Sequence, residues 1–206
     1  MYDRANLAAK HCKGNYIRNY AFYTRKMSQE IEKEQRIVNS MKSALENHEF
    51  VVFYQPKYEL CGNQIAGAEA LVLWIHPERG MISPGEFIPV FERNGFITKL
   101  DYYVWEQTCI QLRKWLDEGK QPLPISVNLS RISLYNKELV EMICDLVDSY
   151  RIPRRLFQVE LTESAYNTNP KAVQDMMQHL RDEGFYILMD DFGSGYSSLN
   201  VLKDIV

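Results

Sequence analysis

From Glu49 onward, short β-rich runs alternate with amphipathic helical stretches, and this alternation constrains the chain more than any other feature. Adjacent strands joined by a helix-length crossover run parallel, and a parallel sheet needs helices over its faces. The fold class expected is therefore α/β. Strands are predicted at residues 50–54, 65–73, 125–129, 156–161 and 186–190, and helices at 84–93, 99–118, 137–149, 170–183 and 197–203. Pro84 and Pro170 stand where a first helical turn tolerates proline, and Gly95, Gly119 and Gly184 where helices commonly end.

Upstream, residues 25–46 carry a helical rhythm, with Met27, Ile31, Val38, Met41 and Leu45 on one side and EIEKEQR as a solvated face. Ile31, Val38 and Leu45 are spaced by sevens, which suits a connector helix or a short coiled coil. Packing against its own chain is the expected outcome. Residues 1–13 read as a helix stopped by Gly14, followed by an aromatic stretch, NYIRNYAFY, with the look of a short strand. At 206 residues the chain has room for one main domain and a small appendage.

A net charge of −3 gives no basic face for phosphate neutralisation along a polymer, so no DNA or RNA partner is expected. Any phosphate ligand must be held locally. Cys12, Cys61, Cys109 and Cys144 form no close pair of the zinc-knuckle or dithiol kind and read as reduced packing thiols of a cytoplasmic protein. No stretch approaches the ~18 apolar residues of a membrane span, so no membrane contact by this segment is expected. The same cytoplasmic placement covers the cytosolic part of a larger membrane-anchored sensor.

Four predicted strands end in a group that can bind a hard cation or accept a hydrogen bond. These are Glu69 in AEALVLW, Asn128 in ISVNLS, Glu160 in FQVELTES and Asp190, followed by Asp191, in ILMDDFGSG. They are spaced by roughly two, one and one βα units of about 30 residues each. In a parallel barrel the carboxyl ends of successive strands meet at one rim, where barrel enzymes keep their chemistry. Several carboxylates and an amide oxygen at one rim repel one another without a cation, and an all-oxygen set favours Mg²⁺, Mn²⁺ or Ca²⁺ over zinc. Adjacent aspartates allow Asp190 to bridge two ions while Asp191 reaches one, an arrangement suited to phosphoester hydrolysis by an activated water. Any one of these acids alone is more often a helix cap or a solvated strand end; the joint spacing is what raises the metal reading. His48, His76 and His179 show no ligand spacing and read as solvated or packing residues. Trp105 and Trp115, with Leu112 and Leu116, read as the core side of a helix.

The motifs YQP (residues 54–56), GAEAL (67–71), SPGEFIP (83–89), VNLS (127–130), ELTES (160–164) and DDFGSGYSSL (190–199), in this order, identify the chain by resemblance as a member of the EAL family of cyclic di-GMP phosphodiesterases. More faintly, DRANLAAKHCKGNYIRNY resembles the closing segment of a GGDEF diguanylate cyclase domain. The resemblance implies a TIM-type barrel with one antiparallel strand, hydrolysing cyclic di-GMP to its linear form with Mg²⁺ or Mn²⁺. By position it implies Glu69, Asn128, Glu160 and Asp190 as metal ligands, with Asp191 serving a second metal. It further implies that Glu163 steadies the DFGSGYSSL loop and that Gln55 and Leu71 lie at the nucleotide.

One departure bears on activity. The family pattern reads EAL, any residue, then an arginine that contacts a substrate phosphate; here that position is Leu73. Losing a charge-assisted phosphate contact costs on the order of 1.5 to 3 kcal/mol, about ten- to a hundredfold in affinity. A full barrel takes roughly 250 residues and eight strands, so the expected architecture is an incomplete TIM-type (β/α) barrel of about five strands behind a helical connector. The family's later strands, which carry a catalytic lysine and a further metal-binding glutamate, are expected to lie outside this sequence. The organisation expected is a GGDEF remnant at 1–24, a connector helix at 25–48 and a partial EAL domain at 49–206. The function expected is a degenerate, metal-dependent cyclic di-GMP phosphodiesterase, and the open parallel edge and uncovered apolar interior of a five-stranded remnant invite a homodimer. The alternative is a non-catalytic cyclic di-GMP receptor or protein-interaction module. A different Mg²⁺-dependent barrel enzyme ranks third.

Overall fold

The computed structural model describes residues 20–60, 64–162 and 170–190, together with Ala5, Ala9 and Gly62. The chain divides into two compact units, Met1–His48 and Glu49–Val206.

In the first unit, helix α1 (Arg25–Glu46) is opened by Thr24, whose side chain accepts a hydrogen bond from the Met27 amide at 3.3 Å. Its buried side chains are Ile37 and Ala44, while Ile31 is 38% exposed. The expected stripe through Ile31, Val38 and Leu45 is thus displaced by one residue. Ile37–Val38 and Ala44–Leu45 are adjacent apolar pairs, so the seven-residue spacing is kept while either member can lead. Ala5 and Ala9 are helical, whereas Tyr20–Thr24 form no strand, which corrects the aromatic strand at its C-terminal end. The rest of the GGDEF-like stretch lies outside the described residues.

In the second unit the sheet path is β1 (Phe50–Tyr58), β2 (Ile65–His76), β4 (Ile125–Asn128), β5 (Phe157–Thr162) and β6 (Tyr186–Asp190), with β3 (Gly80–Ile82) pairing beside β2. β1 is antiparallel to β2, and β2, β4, β5 and β6 are mutually parallel. Five strands along one path, one of them reversed, match the incomplete barrel expected from sequence. β1 runs four residues further than predicted, through Pro56. Proline lacks a ladder donor, yet an end strand tolerates it. Short β3 carried too few residues to register as a separate run.

Helices α2 (Pro84–Asn94), α3 (Ile97–Asp117), α4 (Leu139–Ser149) and α5 (Pro170–Asp182) form the crossovers. The predicted helix at 197–203 lies outside the described residues. Gly95 closes α2 in the left-handed region at φ 78°, where a side chain would be strained. Phe50, Trp74, Phe87, Phe91 and Phe96 form an aromatic core between the sheet and α2, with Phe50 and Trp74 centroids 5.2 Å apart and Phe91 and Phe96 4.9 Å apart. The Trp74 indole N–H donates to Glu49 Oε2 at 2.8 Å, so its one polar atom is satisfied at full burial. On the α3 side, Trp105 and Leu112 are buried as predicted, and Trp115 packs on Tyr54 at 5.9 Å.

Because side chains alternate across a strand, this core takes Phe50, Ala70 and Trp74. The opposite face carries Gln55, Lys57, Glu69, Leu71 and Leu73, and in lateral register Ser126, Asn128, Glu160, Thr162 and Asp190. Every described candidate ligand shares that second face.

Candidate functional site

The strand register fixes the site. Glu69 lies across from Ser126, Asn128 from Glu160, and Asp190 from Thr162, two residues past Glu160. The Asn128 Nδ2 donates to Glu69 Oε1 at 2.9 Å, joining two predicted ligands across 59 residues of sequence. Glu160 is only 5% exposed. A carboxylate so deep needs a cation or several donors, and Lys57 supplies one: its Nζ lies 2.6 Å from Glu160 Oε2 and donates to Ser126 Oγ at 2.8 Å.

Helix α3 holds β4 in place. The Trp105 indole N–H donates to the Asn128 carbonyl at 3.2 Å. One turn earlier on the same helix, Asp101 Oδ2 accepts from the Ser130 amide at 3.2 Å and from the Ser133 hydroxyl at 2.7 Å. Burial pushes the Asp101 carboxyl up to about 6, against the lowering effect of the Ser130 and Ser133 hydrogen bonds. Two side chains four residues apart on α3 therefore pin the backbone on either side of Leu129.

The oxygen-only donors Glu69, Asn128 and Glu160, on three neighbouring strands, suit a hard divalent cation in kind, and buried Glu160 needs positive charge beside it. Among the described residues, no three of His, Cys, Asp and Glu gather closely enough to enclose an ion. Asp191 and Glu163 lie outside the described residues, and Asp190 closes the described part of β6. Gln55 pairs laterally with Glu69 at an exposed position of β1. Leu71 pairs with Phe53 and Leu73 with Val51, so beyond Glu69 this face becomes apolar. The His76 ring accepts from the Glu78 and Arg79 amides at 3.1 and 3.3 Å, shaping the β2–β3 turn rather than ligating.

Sequence reasoning missed Lys57, Ser126 and Asp101. For Lys57 the signal needed β1 to run beyond its predicted end at residue 54, as it does to Tyr58. Lys57 stands two residues after Gln55, and strand alternation places both on one face.

The EAL domain model matches residues 38–205. The bifunctional diguanylate cyclase/cyclic di-GMP phosphodiesterase MucR of Pseudomonas aeruginosa is 33% identical over 97% of this chain, which spans 29% of that protein. An uncharacterised protein of Mycobacterium bovis is 37% identical over 79% of this chain, spanning 53% of its own length. Among solved structures, the MucR phosphodiesterase in complex with c-di-GMP superposes with a TM-score of 0.77 at 34% identity, over 82% of this chain and 68% of that one. The EAL enzyme Bd1971 in its cGMP-bound form superposes with a TM-score of 0.76 at 27% identity, over 88% of this chain and 50% of that one.

Proposed function

The chain belongs to the EAL domain family, and from that premise we propose that residues 49–206 form a cyclic di-GMP phosphodiesterase-type domain that uses Mg²⁺ or Mn²⁺ and grips its ligand weakly. The observation that carries this reading is the 2.9 Å contact of Asn128 with Glu69 beside Glu160 on the next strand. The solved MucR relative, a phosphodiesterase in complex with c-di-GMP, supports the choice of ligand. In this reading Glu69, Asn128, Glu160 and Asp190 hold the cation, with Asp191 at a second one. Gln55 and Leu71 face the nucleotide, and Glu163 steadies the loop after β6; for Asp191 and Glu163 the support is the family motif alone. A bound divalent cation would supply charge to the phosphodiester and lower the pKa of an attacking water. Asn128, held by Trp105 and Glu69, keeps its amide fixed at the centre of the set. A cytoplasmic location belongs to the same proposal.

Leu73 favours a second reading. Where the family places an arginine for phosphate, this chain sets a leucine beside Val51, which is what a receptor that has lost turnover would tolerate. Calorimetric titration of the purified chain with cyclic di-GMP in Mn²⁺, followed by chromatography of the products, separates the two. Binding with slow turnover is expected from the enzyme, and binding alone from the receptor. Chelation by EDTA is expected to abolish binding in either case. Leu73→Arg is expected to tighten cyclic di-GMP binding by about ten- to a hundredfold. No binding by either protein in Mn²⁺ would refute both readings.

A further inference from the structure

Lys57 reaches a carboxylate that the proposed function assigns to a cation. Its ammonium lies 2.6 Å from Glu160 Oε2, and Ser126 Oγ holds it at 2.8 Å on a second side. It stands laterally opposite Gly67, two residues before Glu69 on β2, so it reaches Glu160 from the amino-terminal side of the parallel strands, whereas ligands of such sheets arrive from the carboxyl ends. Glu160 is buried, and screening between charges at that depth is weak. Two cations sharing one buried carboxylate repel each other, and the resident ammonium cannot diffuse away.

We infer that Lys57 is a built-in counter-ion that sets the divalent-cation affinity of the site: it neutralises Glu160 and must yield or share that carboxylate when a divalent ion binds. This rests on the reading of Glu160 as a ligand. Lys57 is then a positioning residue acting through Glu160, and its charge weakens the hold on metal while keeping a buried acid satisfied. The lysine side chain is one-third exposed, so its head can move toward water when displaced. Ser126, fully buried, limits that movement by holding the ammonium.

The test is calorimetric titration of Mn²⁺ alone into the full chain and its variants, each checked for folding by circular dichroism. Lys57→Gln keeps a hydrogen-bonding head without the charge and is expected to bind Mn²⁺ at least tenfold more tightly than wild type. Lys57→Arg keeps the charge and is expected to stay within threefold of wild type, which a purely steric brace would not predict. Ser126→Ala loosens the ammonium without touching a candidate ligand and is expected to tighten Mn²⁺ binding by about two- to fivefold, which covers the case in which Lys57→Gln fails to fold. Glu160→Gln should remove the tight phase in every background. If Mn²⁺ binding depends on Glu160 but is unchanged or weaker in Lys57→Gln and Ser126→Ala, the inference is overturned and the metal reading stands. Should no Glu160-dependent binding occur in any of the proteins, both fall together.

Discussion

Asp101 shows how one side chain ties the site to pH. Its folded-state pKa of about 6 lies above the ordinary 3.8, chiefly through burial. The fold therefore holds the proton more tightly than the unfolded chain does. The resulting stability is fully present below about pH 4 and is lost as pH rises through about 6. Glu92 adds to the upward push, while Ser130 and Ser133 oppose it. A shift of this size amounts to about 3 kcal/mol. Urea unfolding of wild type and Asp101→Asn between pH 4 and 7 should show the wild type losing roughly that much relative to the variant; parallel pH profiles would disprove the assignment. Asp101 was not legible in the sequence, because an acid on a helix reads as solvated until the loop after Asn128 is seen folded onto it. Lys57 escaped notice for the same reason, since a lysine counts as a surface residue unless strand parity is followed. Glu69, Asn128 and Glu160 could be picked out together because polar groups in apolar strands are costly without partners. Of the three only Asn128 closes its strand: Glu69 stands in the middle of β2 and Glu160 two residues before the end of β5.

At the scale of elements, the alternation of strands and helices was readable because each crossover is long and each has its own start and stop residues. What could not be read was local pairing: the extension of β1 through Pro56, the three-residue β3, and which of two neighbouring apolar residues leads the buried side of α1. One motif residue has a purely geometric task. A Cβ on Gly67 would sit 2.7 Å from the Pro124 carbonyl oxygen, the same oxygen that accepts from the Ala68 amide at 2.9 Å. This close approach sets the β2–β4 register and thereby the level of Glu69 against Ser126. Gly67→Ala is expected to cost about 1–3 kcal/mol by forcing the backbone apart. Chemical denaturation showing a loss below 0.5 kcal/mol would mean that the Pro124 segment gives way freely.

For the whole molecule, the site face of the sheet matters most. Val51 and Phe53 on β1 are 39% and 50% exposed, and they adjoin Leu73 and Leu71 on β2. Apolar surface of this continuity favours self-association, and we expect the purified chain to form a homodimer at micromolar concentration. Light scattering should report the dimer mass for wild type and a shift toward monomer for Phe53→Lys. A monomeric wild type would exclude this surface as the cause.

The reversed direction of β1 has a practical side. Its turn to β2, closed by the Glu59 amide on the Gln64 carbonyl, lies at the amino-terminal end of β2, away from the end where β4, β5 and β6 finish in Asn128, Thr162 and Asp190. Leu60 in that turn is fully exposed. A fluorophore attached there through Leu60→Cys would report on this unit from the end remote from Asn128 and Asp190.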